Sequence, residues 1–233
     1  MEKLTYTLFG KPILPLEEPF CETCSEKLSN KSYQQCYRCH TNQYTRYFTY
    51  LRAVGYYIKK DGSNILSKYI RLKYSKTLSK DLKEKLAKGF AELLNQYISN
   101  NQYIIEEIDF IFPVPMFEEE EIESGFNLVK TIVKFLSEKT GIEAIYDNLV
   151  KIRKTKKQAH LNQEERIENV KRAYIIQRPD EINEKQILLI DDVTTSCTTV
   201  NECARVLIEA GVKEVRVLVL ARNTKPPGGT QNE

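Results

Sequence analysis

The chain has 233 residues, 41% of them hydrophobic, and a formal net charge of +3, enough apolar content for a globular chain with a real core. No segment approaches the roughly 18 consecutive apolar residues of a membrane span, and the first twenty residues lack the apolar run of a signal peptide. The expectation is a soluble, cytoplasmic protein without membrane insertion. The charge is uneven: residues 1–100 carry 17 Lys/Arg against 9 Asp/Glu, net +8, which leaves −5 for residues 101–233.

Near the start, Cys21-x-x-Cys24 is followed after 11 residues by Cys36-x-x-Cys39. Each Cys-x-x-Cys turn aims two sulfurs at one centre, and two such turns complete the tetrahedral shell that Zn²⁺ favours. Reduced cytoplasmic thiols favour metal over disulfides. With four sulfurs engaged no coordination position stays open, so the zinc is expected to be structural. His40 is a spare ligand candidate, read as a bystander. Residues 1–43 form the expected zinc-finger-like module.

Tyr44 to Tyr57 interleaves aromatics with Arg46 and Arg52. Such a run suits either stacking of single-stranded bases or strand residues packed on a neighbouring domain, and the latter is the more ordinary use. The lysines from Lys68 to Lys88 suit either an anion or a solvated helix surface. Residues 81–98 place Leu82, Leu86, Phe90, Leu93, Leu94, Tyr97 and Ile98 at helical spacing.

"IDFIFPVP" then reads as a strand closed by Pro113 and Pro115, followed by an amphipathic helix that Gly141 ends. Residues 142–152 read as another strand, and the long polar stretch after them as a mobile loop. "QILLIDDV" is a buried parallel strand, then come the helix "TTVNECARVLIEAG" and the strand "VRVLVLA". The tail 223–233 is expected to be disordered. The alternation predicts an α/β domain over residues 44–222. Its sheet is open and mostly parallel, with the ligand site beyond the strand carboxyl ends.

At such an end stand Asp191, Asp192 and the hydroxyls of Thr194, Thr195, Ser196, Thr198 and Thr199. A turn from a buried strand into a helix N-terminus presents free N–H groups to a phosphate. Two acids beside it make sense if the ligand also offers hydroxyls or a divalent cation, as a ribose phosphate with Mg²⁺ does.

The run "ILLIDDVTTSCTT" resembles the phosphoribosyl pyrophosphate (PRPP) motif of type I phosphoribosyltransferases. Together with the paired cysteines, "IRLKY", "FPVPM", "GFN", "RKTKKQAHLNQEERIENV" and "NECARVLIEAG", it resembles the ComF/GntX family in block order. That family combines a zinc-finger-like module with a phosphoribosyltransferase-type domain and is associated with competence, the uptake of single-stranded DNA. The resemblance implies PRPP with Mg²⁺ as ligand, and leaves open phosphoribose transfer to an unknown acceptor, non-catalytic PRPP binding that regulates a partner, and a DNA-binding role. Single-stranded DNA and competence proteins such as a helicase and DNA-processing factors are the implied partners. It implies that Asp191 and Asp192 take the ribose hydroxyls, that Thr194–Thr199 with Cys197 hold the 5′-phosphate, and that Pro113, Val114 and Pro115 face the pyrophosphate. The loop carrying Arg153, Thr155 and Gln158 would close over the ligand. Two features depart from the family pattern: the acidic run Glu118–Glu123 beside the proline turn, and Cys197 where relatives carry glycine.

Overall fold

The computed structural model describes residues 5–16, 18–41, 45–58, 64–75, 77–156 and 161–223. Its elements are β1 (Thr7–Leu8), β2 (Lys11–Pro12), α1 (Tyr37–His40), β3 (Tyr50–Tyr56), α2 (Ile65–Arg71), α3 (Lys80–Ser99), β4 (Phe110–Pro113) and α4 (Glu118–Ser124). After these come α5 (Leu128–Thr140), β5 (Glu143–Ala144), β6 (Leu149–Lys151), α6 (Gln163–Val170), β7 (Tyr174–Ile176), β8 (Gln186–Thr194), α7 (Thr198–Glu209) and β9 (Glu214–Arg222). The main sheet has the order β3-β9-β8-β4-β5, and all its pairings are parallel.

β8 is central, which explains its unbroken apolar run: both faces are covered, so neither side admits polar residues. Alternate side chains still divide between two cores. Leu188 and Ile190 join α3 and α5 on one face, while Ile187 and Leu189 join α7 on the other. The helices that follow the neighbouring strands β4 and β8 therefore lie on opposite faces. That divergence opens a crevice beyond Pro113 and Thr194, the position where open α/β sheets hold ligands.

Two expectations change. Residues 142–152 are not one strand: β5 extends the main sheet beside β4, whereas β6 leaves it to pair antiparallel with β7. The buried Asn148 fixes that departure, its side chain donating to the Arg178 carbonyl and accepting from the Arg178 N–H. The polar segment read as a mobile loop contains α6. Asn162 caps it and Glu165 reaches back to the Asn162 N–H, at 2.9 and 2.7 Å, forming a capping box. Gly141 ends α5 as expected, in the left-handed conformation that favours glycine.

The N-terminal stretch divides as well. Leu8 and Ile13 enter the core beside α3, whereas the cysteine-bearing part packs Cys21, Cys24 and Cys39 into the other core. That part is tied to β3 by Leu51 N–H to the Thr23 carbonyl at 2.7 Å and by Ser25 Oγ to the Leu51 carbonyl at 2.6 Å. Of the aromatic run, Phe48 and Tyr56 are buried in the sheet layers, the ordinary use of strand aromatics. The tail 224–233 lies outside the described residues.

Candidate ligand site and metal centre

A cavity of about 400 Å³ opens at the carboxyl end of β8. It is lined by Asp191, Asp192, the whole run Thr194–Thr199, Lys73, Tyr57, Arg166 and Asn223. The two acids accept hydrogen bonds from the next backbone N–H groups, Asp191 from Asp192 at 2.8 Å and Asp192 from Val193 at 2.7 Å. They point to opposite sides of the strand. Asp192 is buried and ion-paired with Lys73, which follows α2. Asp191 continues the register of Leu189 toward α7, where burial and then the neighbouring Asp192 push its carboxyl up to about 7, against the pull of Lys73.

The hydroxyl loop keeps the backbone shape that a glycine would supply. Cys197 is the residue before α7 and adopts φ 63°, ψ 9°, a left-handed conformation. A non-glycine residue there costs roughly 1–2 kcal/mol, so the surroundings must hold it. Ser196 and Thr198 are buried, with their hydroxyl oxygens 3.1 Å apart, and Thr195 is exposed. Asn223 N–H donates to the Thr194 carbonyl at 2.9 Å and ties the loop's start to the end of β9.

The remaining expected residues do not all converge on this cavity. Pro113 and Pro115 line a neighbouring one of about 630 Å³, together with Met116, Lys130 and Lys151; Val114 is buried in the core. Arg153 spends its guanidinium on the carbonyls of Asn169 and Lys171, at 3.0 and 2.9 Å, closing the base of the loop. Thr155 is partly buried nearby, and Gln158 lies outside the described residues. The acidic run forms α4. Glu121, Glu120 and Glu119 stand 3.6, 3.9 and 4.0 Å from the ammonium groups of Lys130, Lys151 and Lys154. Those acids therefore face the basic side of the cleft, and the charge reversal is matched locally.

Cys21, Cys24, Cys36 and Cys39 converge with their sulfurs all within 4.8 Å of one another. The Cys24 and Cys36 sulfurs are 3.7 Å apart, close to the ~3.8 Å separation that a tetrahedral site with 2.3 Å Zn–S bonds requires. Four thiolates and Zn²⁺ leave two negative charges. Arg46 and Arg222 lie beside the cluster: burial opposes their ionisation, but Cys197 and Cys24, with Cys39 for Arg46 and Glu26 for Arg222, more than offset it. The residues present fit a structural zinc site. His40 is exposed and outside the four.

The phosphoribosyl transferase domain model matches residues 80–229. The chain belongs to this family. This phosphoribosyl transferase domain is also similar to Competence protein ComFC of Streptococcus pneumoniae, 31% identical over 137 residues that make up 59% of this chain and 56% of that protein. It is similar to Competence protein F of Haemophilus influenzae, 29% identical over 113 residues, 48% of this chain and 49% of that protein. The chain thus spans about half the length of the curated relatives it matches. Among solved structures it is similar to a purine phosphoribosyltransferase from Pyrococcus horikoshii, at 18% identity and TM-score 0.34 over 63% of this chain and 79% of that one. The ComF resemblance and the parallel α/β architecture both stand.

Sequence reasoning missed Tyr57 and Asn223 in the phosphoribosyl transferase domain's cavity, and left Lys73 within an undivided basic run. Nothing local marks them. They arrive by way of strands and helices remote in sequence, Lys73 being 119 positions from its partner Asp192.

Proposed function

We propose that the protein binds PRPP in the cavity at the end of β8. One observation carries this reading: two carboxylates, a hydroxyl-lined turn at a helix N-terminus and Lys73 converge on a single cavity at the sheet's switch point. The turn Thr194–Thr199 holds the 5′-phosphate through its N–H groups and hydroxyls, and Asp191 and Asp192 accept from the ribose hydroxyls. Mg²⁺ carried with the ligand lowers the repulsion between these acids and the phosphates. Pro113–Pro115 and Lys151 border the pyrophosphate, and Arg153 and Thr155 stand at the base of the loop on that side. In transfer, the bond from the anomeric carbon to pyrophosphate breaks as an acceptor attacks that carbon. Positioned donors stabilise the charge that develops on the leaving group.

Calorimetric titration of the protein with PRPP, with and without Mg²⁺, tests this. Saturable heat that depends on Mg²⁺ and falls at least tenfold in affinity for Asp192→Asn is expected. No heat with the unaltered protein overturns the reading.

The relatives' names support a place in DNA uptake, in the company of competence proteins. The part before residue 100 is the one suited to single-stranded DNA, and there Arg52 lies 4.5 Å over the half-buried Tyr50 ring. DNA binding there is expected to weaken steeply between low and high salt, and binding that salt leaves unchanged refutes it.

A further inference from the structure

Arg222 ends β9 and is nearly inaccessible, at 2% exposure. One of its terminal nitrogens donates to Glu26 Oε2 at 2.6 Å, and the other to the sulfur of Cys197. Glu26 follows directly on the Cys21–Cys24 turn, whose fold is fixed by Cys21 N–H to the Glu26 carbonyl at 2.7 Å and Ser25 N–H to the Cys21 carbonyl at 2.8 Å. Cys197 is the left-handed residue of the hydroxyl loop. A buried guanidinium therefore spans the cysteine module and the strained point of the ligand loop, 196 and 25 positions away in sequence, beside a direct side-chain contact of Cys197 with Cys24.

We propose that Arg222 is a positioning residue through which the four-cysteine module holds the ligand loop in shape. The planar fork of arginine suits this role, because it engages two acceptors at a fixed angle, which a lysine ammonium cannot reproduce. Cys197 then has a reason to stand where relatives carry glycine. The loop conformation that glycine would adopt freely is imposed here by a side-chain contact, and only a residue with an acceptor atom provides it. Glycine would relieve the backbone but leave the buried guanidinium short of a partner, a loss of the costly kind. The module and the loop are then one mechanical unit, and the cysteine cluster acts on the ligand site without touching the ligand.

The inference is independent of whether PRPP is the ligand, because its readout is taken on the unliganded protein. Amide hydrogen exchange is measured on the zinc-loaded full chain for peptides covering residues 194–200 and 128–140, with zinc content determined on the same samples. Glu26→Ala and Arg222→Met are expected to speed exchange in 194–200 roughly tenfold and to leave 128–140 unchanged. Glu26→Gln, which keeps an acceptor for Arg222, restores the slow exchange. Arg222→Lys does not. Unchanged exchange in the loop overturns the proposal. So does loosening that is equal in 128–140, and so does loosening in Glu26→Ala that Glu26→Gln fails to reverse.

Discussion

Replacing Asp191 with asparagine is expected to stabilise the folded chain above neutral pH while weakening its ligand site. Asparagine keeps the oxygen that accepts from the Asp192 N–H and removes the charge that burial, and then the neighbouring Asp192, disfavour. Raising a carboxyl from its ordinary 3.8 to about 7 corresponds to about 4 kcal/mol at 1.36 kcal/mol per pKa unit. Solvent screening at this partly open site brings the expected gain at pH 8 to about 2–4 kcal/mol, or about 5–10 °C in melting temperature. The sign follows from proton linkage. Between pH 4 and 7 the folded chain keeps a proton on Asp191 that the unfolded chain has lost, so the unaltered protein loses stability as pH rises through that window. The advantage of Asp191→Asn should therefore be near zero at pH 4 and complete above pH 7. Melting of both proteins across pH 4–8, without ligand, measures it. A destabilised variant at pH 8, or a gain that does not vary with pH, refutes the reasoning. On the proposed PRPP reading the order should reverse with the ligand present, since the variant loses the charged oxygen assigned to the ribose.

Metal analysis of the purified protein should find about one zinc per chain, and Cys36→Ser should lose it together with several degrees of thermal stability. A zinc-free protein with unaltered melting would dismiss the metal centre. Gly55 lies in β3 where an added Cβ would stand 2.7 Å from the Leu14 carbonyl oxygen and 2.9 Å from a Leu66 methyl. Gly55→Ala is expected to cost about 2 kcal/mol, or about 6 °C in melting temperature, and an unchanged melting temperature would show that the strand can shift without cost.

Much of the architecture was legible because local chemistry decided it. The apolar run at 187–190 could only be a strand covered on both faces, and the heptad-like spacing of α3 and the glycine after α5 mark those helices unaided. The split of 142–152 was not legible, because β5 and β6 are too short to carry a periodic signal and their partners are chosen by β4 and β7. α6 could have been found. Asn162 and Glu165 spell a capping box, but the polar composition of its helix concealed the signal, since little of it is buried.

The sequence by itself determined which chemistry is present: four cysteines at metal-binding spacing, two acids and five hydroxyls at the end of a buried strand. Spacing along a strand or a turn is a local matter, so it survives in one dimension. Only the tertiary structure decided how those groups are used. It turned Asp191 and Asp192 to opposite sides of β8, brought Lys73 to one of them, and set α4 against the lysines of the cleft. It also put Arg222 between Glu26 and Cys197. Those pairings depend on charges meeting across long chain separations in a region shielded from water, where each contact is strong and no local pattern announces it.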